Sequence, residues 1–232
     1  MREVSPVLSA IIWSVLTIVI YLVSKKVHAH WTSAWTMPLL ITPAVLIVLV
    51  LVFNVKYTTF HHDTSWLVTL LGPTTVAFAV PIWRQRHLIR THWAVLLVGV
   101  LVGSGVAIGS SFLLATVLGI RGALRLSLLP RSISTPFAMT MSTDIGGNSD
   151  LTSVFVVLTG ILGVIVGEAL LTYLPLRTEL SKGMMLGMGA HGMGTAKAQE
   201  VGTTEGAIAG LAMVLSGVMN VLLAPVLALM VG

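Results

Sequence analysis

Uncharged apolar runs dominate this chain. The first, Val4–Ser24, is about 20 residues long, the length an α-helix needs to cross the hydrocarbon core of a bilayer. Comparable runs follow at 37–54, 64–83, 93–120, 151–174 and 206–232. Only 9% of the residues are charged and 56% are hydrophobic, whereas a soluble domain carries about a quarter charged residues. These features predict an all-α, polytopic integral membrane protein with about 7–8 transmembrane segments, forming a single membrane domain over 1–232. The formal charge of +5 does not indicate a nucleic-acid partner. The basic residues fall between apolar runs, as topology-setting loops do. No cysteine is present, which excludes disulfides, thiolate chemistry and cysteine metal sites.

In chain order, Lys25 and Lys26 follow the first run rather than precede it, so it reads as a transmembrane helix and not a signal peptide. His28, His30, Trp31 and Trp35 suit an interfacial loop. Pro38 and Pro43 stand near the start of the second run, and Lys56, His61, His62 and Asp63 read as a solvated polar loop. The third run is expected to break at Gly72-Pro73, because proline removes a backbone donor and clashes with the preceding turn. Arg84, Arg86, His87 and Arg90 then mark a cytoplasmic loop. Gly99, Gly103, Gly105 and Gly109 give the fourth run small-residue packing faces. The stretch Arg121–Gly147 is the least membrane-like. Its centre, LPRSISTPFAMTMS, contains Pro130 and Pro136, and its apolar pieces are too short to cross alone, so it reads as re-entrant. Glu168 lies inside the 151–174 run, and Arg177, Glu179 and Lys182 form a second charged loop.

The stretch from Gly187 to Glu200, GMGAHGMGTAKAQE, is an odd core for a membrane helix. Each interior glycine costs about 1 kcal/mol against alanine. Irregular backbone at membrane depth survives only inside protein or beside a wet cavity, and transporters place substrates at such breaks. The same glycines would equally permit a close helix crossing. A broken run followed by a long one occurs twice, at 64–120 and at 183–232, the arrangement of an inverted-repeat transporter. The repeat-like units are about 37–120 and 149–232, joined by the re-entrant 121–147. With Arg84–Arg90 and Arg177–Lys182 both cytoplasmic, the units run in opposite directions.

Several separated blocks carry a family resemblance: LLGPTTVAFAVPIWRQ, LPRSISTPFAMTMS followed by IGG, VFVVLTGILG, GMGAHGMGTAKAQE and EGAIAGLAMVLSG. With these, the chain resembles the LrgB/CidB family of bacterial membrane proteins, also called antiholin-like. Trp83 stands where that family is expected to carry tyrosine. The resemblance implies two functions. One is transport of small carboxylates such as pyruvate, glycolate or glycerate, by a carrier of elevator-like type. The other is regulation of murein hydrolase export and cell lysis with a small holin-like partner of LrgA/CidA type. It further implies a multi-pass protein of the bacterial cytoplasmic membrane, a homodimer, and no cofactor.

A carboxylate substrate calls for a cation or a crown of N–H donors, which helix N-termini supply. The candidates for substrate binding are Thr74, Thr75, Arg131, Ser134, Thr135, His191, Gly192, Gly194 and Thr195. Gly72, Pro73, Pro136 and Gly189 are the helix-break candidates. Arg131 offers a guanidinium fork that matches a carboxylate, although an interfacial, snorkelling arginine fits the same sequence. His191 can couple transport to protons or serve as a packing residue. Lys197 and Glu200, three apart, suit a gate pair on one helix face. Met184, Met185, Met188 and Met193 read as ordinary packing residues. No metal site is expected. Zinc-protease, nucleophile-elbow and phosphate-loop motifs are all missing, which argues against an enzyme.

Overall fold

The computed structural model describes residues 6–31, 36–77 and 79–231. The expected interfacial Trp35 lies outside them. The described residues form α1 (Pro6–His30), α2 (Pro38–Val52), α3 (Tyr57–Thr69), α4 (Leu71–Ala77), α5 (Ala79–Arg84), α6 (Arg86–Val117), α7 (Gly122–Leu128), α8 (Thr135–Asp144), α9 (Ser149–Tyr173), α10 (Glu179–Val201) and α11 (Thr203–Val231). Among them α1, α6, α9 and α11 are long and apolar enough to cross a bilayer, and α2 is a shorter apolar helix. Large apolar side chains such as Val7, Leu51, Leu113, Leu162 and Leu222 stand largely exposed on these helices, an outer surface suited to lipid and not to water. The protein is an all-α, polytopic membrane protein.

The chain divides into two compact units, Met1–Thr74 and Thr75–Gly232. In the first, α1 packs against α2 and α3. The polar loop expected around Lys56–Asp63 is helix instead. Lys56 is the N-cap of α3, and Asp63 is 5% exposed. Ser9 Oγ donates to the Asp63 carboxylate at 2.5 Å, and Trp66 Nε1 donates to Ser14 Oγ at 2.7 Å. Trp13 meets Phe60 edge-on, with centroids 5.4 Å apart. The partners that make burial of Asp63 tolerable lie on another helix, which local sequence does not reveal. The third apolar run is fragmented into α3, α4 and α5, with Leu70 between the first two. Gly72 and Pro73 fall in the first turn of α4, where proline's missing N–H leaves no helical bond unmade.

In the second unit, α6 departs from helical geometry at His92 (φ −120°, ψ 23°), which sets Arg86–Thr91 apart from the apolar run beginning at Trp93. After α6 the chain doubles back through α7 and α8. Thr152 Oγ1 of α9 lies 2.7 Å from Ser142 Oγ and 3.0 Å from the Ser127 carbonyl, and Asn148 N–H donates to Ser127 Oγ at 2.7 Å. Ser127 and Ser142 therefore sit side by side, and the residues between them form a hairpin. Its apolar side is Leu129, Ile133, Phe137, Ala138 and Met141, closed by Ile145, Val156 and Ala224.

A second hairpin lies inside α10. His191 has φ 39° and ψ −117°, a left-handed departure in the middle of the element. Before it, Gly167 meets Leu186 and Gly163 meets Ala190, so the first half of α10 runs antiparallel to α9. That half runs parallel to α11, with Gly183 against Ile208 and Gly187 against the Ala209 backbone. After His191 the direction reverses. Thr195 meets Met213 and Gln199 meets Gly206, so the second half is antiparallel to α11. The two halves touch where Gly194 lies on the Leu186 carbonyl. A straight helix would separate these residues by about 12 Å at 1.5 Å per residue. Met184 packs on Gly99 and Met188 on Gly103, so α6 runs parallel to the first half of α10. The Arg86 end of α6 and the Glu179 end of α10 accordingly lie at one end of the unit.

Candidate functional site

The turns of the two hairpins reach the middle of α9. Arg131, in the α7–α8 turn, donates from Nε to Ser111 Oγ at 2.8 Å and from Nη1 to Thr159 Oγ1 at 3.5 Å. The next residue, Gly160, carries the tip of the other hairpin. A Cβ there would lie 2.8 Å from His191 Cε1 and 3.0 Å from Met193 Sδ. Thr159 and Gly160 stand about halfway along α9. The guanidinium and the imidazole therefore arrive at adjacent residues from oppositely entering loops.

Two polar atoms at these turns lack partners. His191 is 4% exposed, with its ring facing the Val156 carbonyl and its Nε2 buried without a hydrogen bond. Ser134 is 6% exposed and stands at the N-cap of α8, yet its Oγ makes no capping bond and is buried alone. Leaving a buried polar atom unsatisfied costs about 1–3 kcal/mol, so native proteins rarely keep one without a reason. Thr135 and Pro136 open α8, and proline fits there because the first helical N–H groups have no helical acceptor.

The glycines of the α10 hairpin serve two purposes. Gly187 and Gly194 are pressed against backbone, of Ala209 and Leu186 respectively. Gly189 and Gly192 are exposed, and a Cβ at either would meet nothing within 4 Å. The backbone at Gly189 stays helical, and the departure falls at His191. Thr195 Oγ1 donates to the His191 carbonyl at 2.9 Å, tying down the turn. Farther from the tip, Lys197 Nζ lies 2.5 Å from Glu168 of α9 and 3.0 Å from Glu200. This bridge clasps the second half of α10 to α9. Gly72 and Pro73 are exposed in α4, and the side chains of Thr74 and Thr75 lie outside what the structure describes.

Sequence reasoning missed the polar residues that receive the turns. Ser111 and Thr159 hold Arg131, while Asn220 Nδ2 donates to Ser104 Oγ at 2.8 Å and to the Ser216 carbonyl at 2.7 Å. Ser104 and Asn220 join Ser132, Pro130 and Met188 around a narrow hollow beside the α7–α8 turn. The available signal was a polar side chain inside an otherwise apolar run, the kind that hydrogen-bonds across packed membrane helices. Chemically, the turns offer a guanidinium, hydroxyls and the first N–H groups of two helical segments. That is a donor-rich environment suited to an anion.

The model of the LrgB-like family matches residues 17–230. The chain is 40% identical over 212 residues to YwbG of Bacillus subtilis, covering 91% of this chain and 94% of that protein. It is 35% identical over 216 residues to YxaC of the same organism, covering 93% and 94%. A Staphylococcus aureus protein named holin-like protein CidB is 30% identical over 221 residues, covering 95% and 96%. No solved structure matches. With nearly the whole length matched, the chain belongs to the LrgB-like family.

Proposed function

We propose that this protein is a carrier for small carboxylates, such as pyruvate, glycolate or glycerate, in the bacterial cytoplasmic membrane. The observation that carries the reading is the approach of Arg131 and His191 to adjacent residues of α9 from hairpins of opposite direction. In this reading both hairpins are re-entrant and end near the midplane, as the broken helices of inverted-repeat transporters do. Arg131 receives the carboxylate. Ser134, Thr135 and the N–H groups at Gly192, Gly194 and Thr195 complete the anion shell. The orphaned His191 Nε2 is the proton-coupling group, and Lys197 with Glu200 forms a gate clasp. In this reading the counterpart of the α10 hairpin is the α7–α8 hairpin, and the Gly72-Pro73 break with Thr74 and Thr75 has no part in the anion shell. The working form is a homodimer.

A second reading rests on the name of the staphylococcal relatives, holin-like protein CidB. Under it the chain regulates murein hydrolase export together with a small holin-like partner. Uptake of radiolabelled pyruvate, glycolate and glycerate into liposomes containing only this protein separates the two. Saturable uptake is the expected result, and no uptake in the absence of the holin-like partner would favour the regulator. Arg131→Lys should weaken uptake affinity roughly tenfold to a hundredfold, because charge-assisted bonds contribute about 1.5–3 kcal/mol each and lysine lacks the fork. Unchanged affinity in that variant would remove Arg131 from the site.

A further inference from the structure

Away from the hairpin turns, the second unit carries an open apolar groove with a charged mouth. Trp93, Leu97 and Val100 of α6 face Val218 and Leu222 of α11 across a space of about 330 Å³. Ile89 lines this groove and also a second hollow, whose other walls are Ala79, Trp83, Arg86 and Arg90. The apolar groove therefore opens onto a pair of arginines. Arg86 is held in place, its guanidinium 4.9 Å from the Trp83 ring centroid and its Nη1 donating to the Trp83 carbonyl at 3.1 Å. Arg90 is exposed, and among the described residues no carboxylate pairs with either arginine.

The dimensions fit within one lipid leaflet. From Trp93 to Val100 the helix rises about 10 Å at 1.5 Å per residue, against about 15 Å for half a hydrocarbon core. Trp83 and Trp93 are both largely exposed at the mouth, at the depth where indole rings settle between headgroups and chains. The non-helical residue His92 marks the same level, separating the arginine-bearing turn from the apolar run.

We propose that this groove binds an anionic phospholipid, with its acyl chain between α6 and α11 and its phosphate on Arg86 and Arg90. Apolar contact does not select among lipids, since their tails are alike to an apolar wall. Selection falls to the headgroup, and each basic residue near an anionic leaflet adds attraction. A second copy of this chain, with a formal charge of +5, has no surplus of acid to offer the arginines. A free phosphate would leave the groove unfilled.

Native mass spectrometry of the purified full chain in detergent, given equal amounts of phosphatidylglycerol and phosphatidylethanolamine with identical chains, tests the proposal. Phosphatidylglycerol should be retained preferentially. Arg86→Gln and Arg90→Gln should each weaken the preference for phosphatidylglycerol over phosphatidylethanolamine about fivefold. Val218→Trp, which fills the groove, should lower retention of both lipids. Dissolved glycerol phosphate should displace neither. The arginines are exposed, so their variants keep the test open even if Val218→Trp fails to fold. Equal retention of the two lipids, a preference untouched by both arginine substitutions, displacement by glycerol phosphate, or a disulfide dimer through Leu222→Cys would each overturn it. None of these outcomes depends on whether the protein carries carboxylates.

Discussion

At the scale of single residues, His191 is the position where conformation and chemistry pull apart. A φ of 39° suits glycine, and a residue with a Cβ is held there at a cost of order 1–3 kcal/mol. Surrounding structure must fix it, and the Thr195 hydroxyl on the His191 carbonyl is one such tie. In an ordinary helix interior alanine is better than glycine by about 1 kcal/mol. Here the order should reverse, with His191→Gly more stable than His191→Ala by about 1–2 kcal/mol. Thermal unfolding of the two variants in the same detergent measures this, and the usual order would contradict the strained turn. Both variants lack the imidazole, so both should lose the pH dependence of uptake. The reading of His191 as either packing residue or proton carrier was open in the sequence. The proposed proton-carrier role rests on the unpartnered Nε2.

At the scale of elements, the α10 hairpin depends on which neighbour each glycine meets. Gly187→Ala would drive a methyl into the backbone of Ala209, where no side chain can rotate away. Gly192→Ala would point into open space. We expect Gly187→Ala to reduce folded protein in the membrane sharply and Gly192→Ala to leave its amount unchanged, as read by fluorescence-detected size exclusion. Gly103 makes an instructive third case. The atom nearest an added Cβ is the terminal methyl of Met188, at 2.6 Å, which a flexible thioether can move aside. Gly103→Ala should therefore be tolerated. All these glycines look alike in the sequence, and spacing alone left a transport site and a tight crossing equally open. The structure assigns different glycines of the one stretch to close packing and to the open tip.

At the scale of the whole molecule, the basic segments are the test of topology. Met184 on Gly99 and Met188 on Gly103 place the Arg86 end of α6 beside the Glu179 end of α10, as the positive-inside pattern of the sequence required. Because the chain has no cysteine, Gln85→Cys and Arg177→Cys supply clean reporters. An impermeant thiol reagent should label both from the same side of the membrane. Labelling from opposite sides would contradict the parallel course of α6 and the first half of α10, and with it the proposal of two oppositely directed hairpins.

The sequence by itself determined what depends on neighbours along the chain. Runs long enough to cross a bilayer and the basic residues between them are local properties, as are the blocks that mark the family. The tertiary structure decided what depends on partners distant in the chain. Asp63 is buried because serines of α1 stand opposite it, so its helix could not be recognised from its polar neighbours. Arg131 is drawn inward because Ser111 and Thr159, on two other helices, accept from its guanidinium. The turn falls at His191 rather than at a glycine because α9, α11 and both halves of α10 pack against one another on either side of it. A backbone strain of a kilocalorie or more persists only where several contacts hold it at once, and such contacts exist only after the helices have assembled.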